Sequence, residues 1–462
     1  MRLFREGSRA IDSISGPLVF VNKIKGAGFG ELVTVETGRE ARIGQVLQVD
    51  GEICLIQLFE STVDIDPGKS VVWIERDIFR MPVGLSLIGR ILNGHGEPID
   101  GGPPVENCAE EELPVTGLPI NPVRRLAPHA YLETGISAID LMNTLIRGQK
   151  LPIFSGAGLP ASRIAVQIAR QARVPGEESR FVVIFAATGV TWREASYFLN
   201  AFRDTGALYH GVFFINLASD SPVERLLTPR LALTVAEHLA LEKGYDVLVI
   251  LTDMLHYCEA LREVSAAREE APGRRGYPGY MYSDLASIYE RAGCVKGSEG
   301  SITQLPILTM PDDDMTHPVV DLSGYITEGQ IVLDRGLHER SIFPPIDVLP
   351  SLSRLMGKGI GKGKTDPIHG AMADSLYAAY ARSRELRRLK MIVGEEGLTT
   401  LEKEYLSFGD RFEGEFINQG ETYRPLEESI NVAWQCLEAL PPTELYRFPD
   451  EATQRRRGKT VE

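Results

Sequence analysis

The first eighty residues alternate short apolar runs with turns that are rich in glycine or charge. The runs contain many β-branched residues and recur about every ten residues, a spacing typical of a small β-barrel or sandwich. They lie at residues 18–21, 31–35, 45–49 and 53–59. The pattern therefore predicts a small β-domain, closed or sandwiched, over residues 1–80.

Longer apolar runs follow between residues 81 and 355, and segments with helical periodicity separate them. Each run is almost continuously hydrophobic, as in parallel strands that helices cover on both faces. The predicted strands lie at residues 151–154, 181–187, 212–216 and 246–252. This pattern predicts a central α/β domain. The segment 85–125, rich in Gly and Pro, is predicted to be a connecting region.

From about residue 366 onward, apolar residues recur at spacings of three and four, which predicts helices. The first stripe contains Met372, Leu376 and Tyr380. Two further stripes run through Leu401, Tyr405, Phe408, Phe412 and Phe416, and through Ile430, Trp434, Leu437 and Leu440. Gly409 and Gly414 interrupt the second stripe. We predict a C-terminal helical bundle over residues 356–462, so the whole chain is expected to be a multidomain α/β protein.

Composition narrows the classes of function. The formal net charge of −14 disfavours nucleic acid, because affinity for its phosphates rests on clustered Lys and Arg. We interpret the basic residues at 455–459 as a solvated tail. Five cysteines, widely spaced and without a C-x-x-C pair, argue against a disulfide framework or zinc site and favour a reducing cytoplasm. No apolar strand approaches the length of about 20 residues that a membrane helix needs, so any membrane role must run through partners.

The strand at 151–154 runs into a glycine-containing turn and then a helix, the context of a phosphate-binding loop. A working loop reads G-x-x-x-x-G-K-[ST]; its N–H groups and its Lys bind phosphates, and its hydroxyl holds magnesium. Here the turn reads Ser155-Gly156-Ala157-Gly158-Leu159-Pro160-Ala161-Ser162. Ser155 and Pro160 replace the two glycines. Ala161 replaces the Lys, and Ser162 keeps the hydroxyl.

Two of these replacements remove the chemistry of the loop. Pro160 lacks an amide donor and fixes φ where the loop needs the freedom of glycine. Ala161 removes the cation. Arg163 cannot replace it, because two positions further along a helix a side chain points roughly 200° away. We therefore predict that this loop does not hold a triphosphate in the catalytic manner.

A second segment, at residues 358–365 (KGIGKGKT), ends like a phosphate-binding loop. Lys358 stands where the first glycine belongs, and no buried strand precedes it. We interpret this segment as a flexible basic loop.

An acidic residue, Asp253, directly follows the predicted strand at 246–252. Asp253 resembles the Walker B residue, whose carboxylate polarises the magnesium shell. It would equally well cap the next helix at its amino end. The sequence leaves both interpretations open.

Several long motifs resemble the B subunits of archaeal and bacterial V/A-type ATPases, and the resemblance covers about residues 14–445. Besides the loop at 155–162, the motifs are TGISAID (134–140), LIRGQKLPIF (145–154), RRGYPGYMY (274–282), MPDDDMTH (310–317), GYITEGQI (324–331) and PPIDVLPSLSRL (344–355). The resemblance implies a β-barrel, a P-loop-type nucleotide-binding domain and a helical domain, as the periodicity predicts.

The family resemblance also implies a function. Three such non-catalytic, regulatory B subunits alternate with three catalytic A subunits around a central shaft, with a peripheral stalk outside. The complex couples ATP synthesis or hydrolysis to proton or sodium transport, on the cytoplasmic face of the membrane. The implied chain has no cofactor or metal of its own. ATP or ADP with magnesium binds at the interface with the A subunit.

Three positions acquire implied roles from this resemblance. Arg354 matches the arginine that completes the A-subunit site in trans, an arginine finger. Val190 stands where hydrolysing members carry the glutamate that orients water, and Glu194 comes too late in the turn to replace it. The loop at 274–280 is implied to contact the shaft.

Two alternatives remain. The first is an active hexameric NTPase of the same fold, such as a protein-export ATPase or an RNA translocase. It requires an intact phosphate-binding loop, and the translocase also requires a basic RNA path. This chain has neither feature. A purely structural ring subunit would make no catalytic contribution, and Arg354 separates this alternative from the B-subunit interpretation.

Overall fold

The structure is a computed structural model that describes residues 6–22, 24, 26–38, 40–51, 53–117, 119–176 and 180–448. The basic residues at 455–459, interpreted above as a solvated tail, lie outside the described residues. No helix of the described residues has both the length and the apolar character to span a bilayer.

The N-terminal part is a barrel-like sheet of seven antiparallel strands in the order β1-β7-β4-β5-β6-β3-β2. The strands are β1 (Glu6–Ser8), β2 (Ile11–Ser15), β3 (Leu18–Asn22), β4 (Glu31–Glu36), β5 (Ala41–Asp50), β6 (Ile53–Leu58) and β7 (Val71–Ile78). Alternate residues such as Val33 and Val35 are buried inside, as a period of two requires.

The central part is built on a ten-stranded sheet whose main path runs β19-β18-β12-β17-β15-β13-β14-β9. Its strands are β9 (Ile91–Asn93), β11 (Arg125–Leu126), β12 (Ile153–Gly156), β13 (Phe181–Val190), β14 (Gly211–Leu217), β15 (Asp246–Thr252), β16 (Gly293–Val295), β17 (Ser301–Met310), β18 (Gly329–Leu333) and β19 (Ile346–Ser353). From β9 to β18 the neighbours on this path are parallel, and β19 is antiparallel at the edge. Two further strands, β8 (Arg80–Val83) and β10 (Glu111–Pro114), pair with each other.

Helices cover both faces of the sheet, because each long strand buries apolar residues on both sides. The helices of this part are α1 (Ser137–Asp140), α2 (Ala161–Gln171), α3 (Trp192–Asp204), α4 (Pro222–Glu237), α5 (Met254–Ala267), α6 (Met281–Tyr289), α7 (Pro318–Ile326), α8 (Arg335–Glu339) and α9 (Met356–Gly359).

Three helices form the C-terminal part: α10 (His369–Val393), α11 (Thr400–Arg411) and α12 (Leu426–Leu437). A π-helical turn at Phe412–Ile417 continues α11. The predicted stripes form its core, with Tyr380, Phe412 and Trp434 buried. Leu401 is an exception at 39% exposure. It lies in the first turn of α11, before the helix reaches the core.

The structure has the predicted three parts: a barrel-like domain, a central domain built on a mainly parallel α/β sheet, and a helical domain. The prediction for residues 85–125 was too simple. This segment contributes β9, which joins the sheet beside β14 because Ile91 and Leu92 are apolar and buried there. The domain boundaries after residues 80 and 355 stay predictions.

Candidate functional site

The degenerate phosphate loop connects β12 to α2 at the carboxyl edge of the parallel strands, where α/β folds place their ligands. Ser155 and Gly156 end the strand and are buried, and Gly158 turns the chain at a φ of +79°. Pro160 precedes the first residue of α2, Ala161, and no side chain caps this helix. Ser162 follows, half-buried. The backbone path of a phosphate loop is therefore present without its Lys.

An ion pair lies across this loop. Arg335 bonds both carboxylate oxygens of Asp313 at 2.9 Å, and its Nη2 also donates to the Ala157 carbonyl at 3.0 Å. The carboxylate packs on the backbone of Gly156, where a Cβ would overlap Asp313 Oδ1. The Arg335 guanidinium beside Asp313 lowers the pKa of its carboxyl below the usual range. An ion pair, whose carboxylate lies nearest to Gly156, thus stands against the first turn of the loop.

Arg163 points away from the loop, as predicted. Its Nε and Nη2 donate to Glu421 Oε1 at 3.0 and 2.6 Å, and its guanidinium stacks over the Phe343 ring at 4.2 Å. This arginine joins α2 to the C-terminal part, and it does not replace the Lys that Ala161 lacks.

Asp253 is the amino-terminal cap of α5. Its Oδ1 accepts a hydrogen bond from the Leu255 N–H at 2.8 Å, and the Thr309 N–H donates to Oδ2 at 3.0 Å. Thr309 is also the register partner of Ser155, so the structure brings Asp253 and the loop to one edge of the sheet. The capping interpretation describes these contacts, and the Walker B role of Asp253 stays a prediction.

Val190 ends β13 at the same edge and is 4% exposed. Its carbonyl accepts a hydrogen bond from Ala218, and its side chain has no group that accepts a proton. Glu194 is engaged elsewhere: it forms a capping box with Thr191 at the start of α3. Neither residue is placed to activate water over the loop.

Arg354 follows the last residue of β19 and is exposed. Its backbone N–H donates to the Glu328 carbonyl at 2.9 Å, and its Nη1 donates to the Thr327 carbonyl at 3.0 Å. Within the described parts of the chain, no carboxylate lies at salt-bridge distance from it. The guanidinium is therefore anchored at one point and has most of its donors free.

Arg354 and the phosphate loop stand at opposite ends of the strands. Ser353 pairs with Gly329 at the start of β18, whereas Ile331, two residues later, pairs with Ile153 of β12. Gly156 lies three residues beyond Ile153. The separation is thus five residue steps, or about 16 Å along the strands at about 3.3 Å per residue, so Arg354 does not face its own loop.

The basic loop at 358–365 resembles a phosphate loop only in sequence. It begins in the last residues of the short α9. Its Thr365 hydroxyl accepts a hydrogen bond from the Gly361 N–H at 2.7 Å and contacts the ring of His369. Lys364 donates to the Lys358 carbonyl. The hydroxyl that would bind magnesium in a working loop instead closes this turn.

Comparison with known proteins decides the family. The nucleotide-binding domain of the ATP synthase alpha/beta family matches residues 135–353, and its beta-barrel domain matches residues 11–73. The C-terminal domain of V and A type ATP synthase matches residues 358–457. The V-type ATP synthase beta chain of one strain of Thermus thermophilus is 54% identical, over 100% of this chain and 98% of that protein.

The chain belongs to the V/A-type ATP synthase B (beta) subunits. The beta chain of a second Thermus thermophilus strain matches it equally, at 54% identity. An ATP synthase subunit, NeqB from Nanoarcheaum equitans, has a similar solved structure, with a TM-score of 0.74 and 40% identity over 92% of this chain and 100% of that one. The resemblance stated from the motifs is confirmed, and B-subunit membership makes this chain part of an ATP synthase complex.

Sequence reasoning missed the Asp313–Arg335 ion pair. Both residues lie in or beside quoted motifs, but they are separated by 22 positions and come from different elements. No periodicity connects such a pair. The only signal was the acidic run at residues 312–314, and the strand before it, β17, was not among the predicted strands.

Proposed function

We propose that this chain is the non-catalytic, regulatory subunit of the ATP synthase ring, and that Arg354 completes the catalytic site of a neighbouring A subunit. Three copies alternate with three A subunits around the central shaft, and the peripheral stalk holds the ring from outside. ATP or ADP with magnesium binds at the A–B interface. The complex works on the cytoplasmic face of the membrane and couples ATP turnover to proton or sodium transport.

The observation that carries this proposal is the position of Arg354. It is exposed, it has one side-chain hydrogen bond, and it stands about five residue steps from its own loop along strands of about 3.3 Å per residue. A guanidinium held in this way can reach a nucleotide on another chain, but not one in its own loop. The hydrogen bond to the Thr327 carbonyl restricts the side chain, which reduces the entropy it would lose on binding.

The composition of the loop supports the absence of catalysis by this chain alone. Ala161 brings no charge to a phosphate, and the carboxylate of Asp313 stands against Gly156. A triphosphate placed on this loop would meet the Asp313–Arg335 ion pair, whose charges offset each other, where a working loop provides an unpaired cation. The buried Val190 cannot orient water.

The chemistry of phosphoryl transfer explains what Arg354 would contribute. Negative charge is spread over the γ-phosphoryl oxygens in the transition state, and a planar, always protonated guanidinium stabilises it. Arginine fingers increase turnover by about 10³ to 10⁵, equivalent to about 4 to 7 kcal/mol at about 1.4 kcal/mol per factor of ten. Lysine keeps the charge but loses the forked geometry.

The test is a reconstituted A–B ring that carries Arg354→Ala or Arg354→Lys. We expect both rings to assemble and bind ATP, and to turn over at least about a hundredfold more slowly than wild type. The matched control is Arg180→Ala, which removes another exposed arginine immediately before β13, at the same edge of the sheet. Turnover within a fewfold of wild type for Arg354→Ala would favour the purely structural ring subunit.

Assembly separates this proposal from the active-NTPase alternative. A ring of alternating unlike subunits needs the A subunit to close. We expect the free chain to be monomeric, or at most weakly associated, at micromolar concentration in native mass measurements. A stable homohexamer of this chain alone would support the export-ATPase alternative.

A further inference from the structure

A cavity of about 450 Å³ lies between the N-terminal sheet and the central domain. Strands β5 and β6 form one wall, and helices α4 and α5 form the other. Its volume falls in the range of small-molecule sites. The cavity is distinct from the phosphate loop: α5 begins after Asp253 beside the loop, and Arg268 in the cavity follows its other end. The fourteen residues of α5 lie between them, and the fifteen steps from Asp253 to Arg268 span about 22 Å at about 1.5 Å per residue.

Most of the cavity wall is apolar. Val46 comes from the N-terminal sheet, and Leu227, Leu261 and Val264 come from the two helices; all four line the cavity and are buried. Such a lining favours a ligand with a hydrocarbon body, because burying apolar surface is the main source of affinity in these sites.

Two hydrogen-bond donors interrupt the apolar wall. Gln57 is 3% exposed, and its Oε1 accepts a hydrogen bond from Arg268 Nη2 at 3.1 Å. This bond fixes the amide so that its Nε2 remains a donor. Among the described residues, neither Gln57 Nε2 nor Arg268 Nε has a hydrogen-bond partner, although both atoms are buried. Leaving buried donors unpaired costs free energy, which a ligand acceptor would recover.

The other charged groups of the cavity satisfy each other. Arg230 Nη2 donates to Asp284 Oδ1 at 2.6 Å, so this pair leaves no net charge. Arg268 has a weaker partner, because its Nη1 lies 3.5 Å from Glu270 Oε1. The unpaired donors are thus next to a guanidinium whose charge is only partly balanced, which selects an acceptor that is negative.

We propose that this cavity binds an amphipathic carboxylic acid. A small rotation of the Gln57 and Arg268 side chains, which line the cavity, turns their unpaired donors toward the ligand's carboxylate, while the ligand's hydrocarbon body packs between α4, α5 and the N-terminal sheet. The ligand enters beside Phe29 and Ile78, which line the cavity and are 83% and 37% exposed. Since the walls come from two domains, the bound molecule holds them together and stabilises the chain.

The test uses calorimetric titration of the full chain with sodium decanoate. Decan-1-ol, with the same chain and no charge, and decyltrimethylammonium, with the opposite charge, are the comparison ligands. We expect decanoate to bind at least about tenfold more tightly than either, as a charge-assisted pair of hydrogen bonds requires. Equal affinity for decanoate and decyltrimethylammonium, or no binding of decanoate, would overturn the proposal.

Variants locate the binding. Arg268→Met should weaken decanoate about tenfold and change decan-1-ol little, since it removes the donor and keeps the apolar stem. Leu226→Trp, at a half-buried position on the wall, should fill the cavity and abolish binding of both. The control Arg262→Met removes an exposed arginine of α5 that does not line the cavity, and should leave the affinity unchanged. The cavity is not the site if Arg268→Met binds decanoate like wild type, or if Leu226→Trp folds and still binds it. Gln57→Leu independently tests the contact with the carboxylate, and it too should weaken decanoate binding.

Discussion

Gly409 of α11 lies directly against Ser383 of α10. A Cβ on Gly409 would overlap Ser383 Oγ and stand 2.8 Å from the Ser383 Cβ. Glycine at this position therefore permits the close approach of the two helices, although within an isolated helix it costs about 1 kcal/mol relative to alanine. The glycine that interrupts the apolar stripe in sequence is a packing contact in the fold.

We accordingly expect Gly409→Ala to lower the free energy of unfolding by about 1 to 3 kcal/mol, the usual effect of overpacking. Gly414→Ala is the matched control, because its Cβ would meet no atom within 4 Å. That variant should be neutral or more stable by up to about 1 kcal/mol. Urea denaturation of both variants gives the comparison, and equal stabilities would contradict the packing argument.

The isolated chain should not hydrolyse ATP above background. Ala161 lacks the cation of a working loop, Pro160 lacks an amide donor, and Val190 cannot accept a proton. Phosphate release by the purified chain measures this, with Ser162→Ala as the control for contaminating enzymes. Turnover by the wild-type chain that Ser162→Ala abolishes would show that the loop is active after all.

Repairing the loop alone should not restore nucleotide binding. The double variant Pro160→Gly with Ala161→Lys replaces the donor and the cation, but the carboxylate of Asp313 remains against Gly156. Adding Asp313→Asn removes that negative charge. We expect the triple variant to bind magnesium-ATP at least about tenfold more tightly than the double variant, since each factor of ten is about 1.4 kcal/mol. Equal affinities in calorimetry would show that the Asp313–Arg335 pair does not close the site.

The chain should lose stability in mild acid through His369. This residue is buried at the start of α10, where burial lowers the pKa of its imidazole to about 4, against the opposite effects of the Leu141 carbonyl and Asp366. An unfolded histidine titrates near about 6.5. Between these pH values the unfolded chain binds a proton that the folded chain does not, so acid favours unfolding.

The expected loss from His369 is up to about 3 kcal/mol as the pH falls from about 6.5 to about 4, at about 1.36 kcal/mol per pKa unit. His369→Gln should flatten this part of the pH dependence of unfolding, whereas His210→Gln, at an exposed position, should not. Denaturation curves at several pH values provide the slopes. An unchanged slope in His369→Gln would remove this histidine as the cause.

The sequence predicted the fold because its signals are periodic. Burial can be read from neighbouring residues alone, as in the apolar runs of β13 and β15 and in the spacings of three and four in α10. The degenerate loop was equally readable, because strand, turn and helix are consecutive. What the sequence could not show depended on distant partners: Thr309, 56 positions from Asp253, is placed against its carboxylate only by the fold. Likewise, the donors of Gln57 and Arg268 meet only when the first domain packs on the second.

Arg354 and the phosphate loop lie at opposite edges of the sheet, so the two edges of each chain are chemically different. A twofold contact through the Arg354 edge would bring two amino edges together and leave both loops outside. In the other kind of contact, the Arg354 edge of one subunit packs against the loop edge of the next nucleotide-binding fold. Each subunit then uses two different surfaces, and each repeat of the contact rotates the next subunit in the same sense. Such heterologous contacts either close into rings or continue as filaments. Under the proposed role of Arg354, the strand ends that carry Arg354 and the loop set the direction in which one subunit acts on the next.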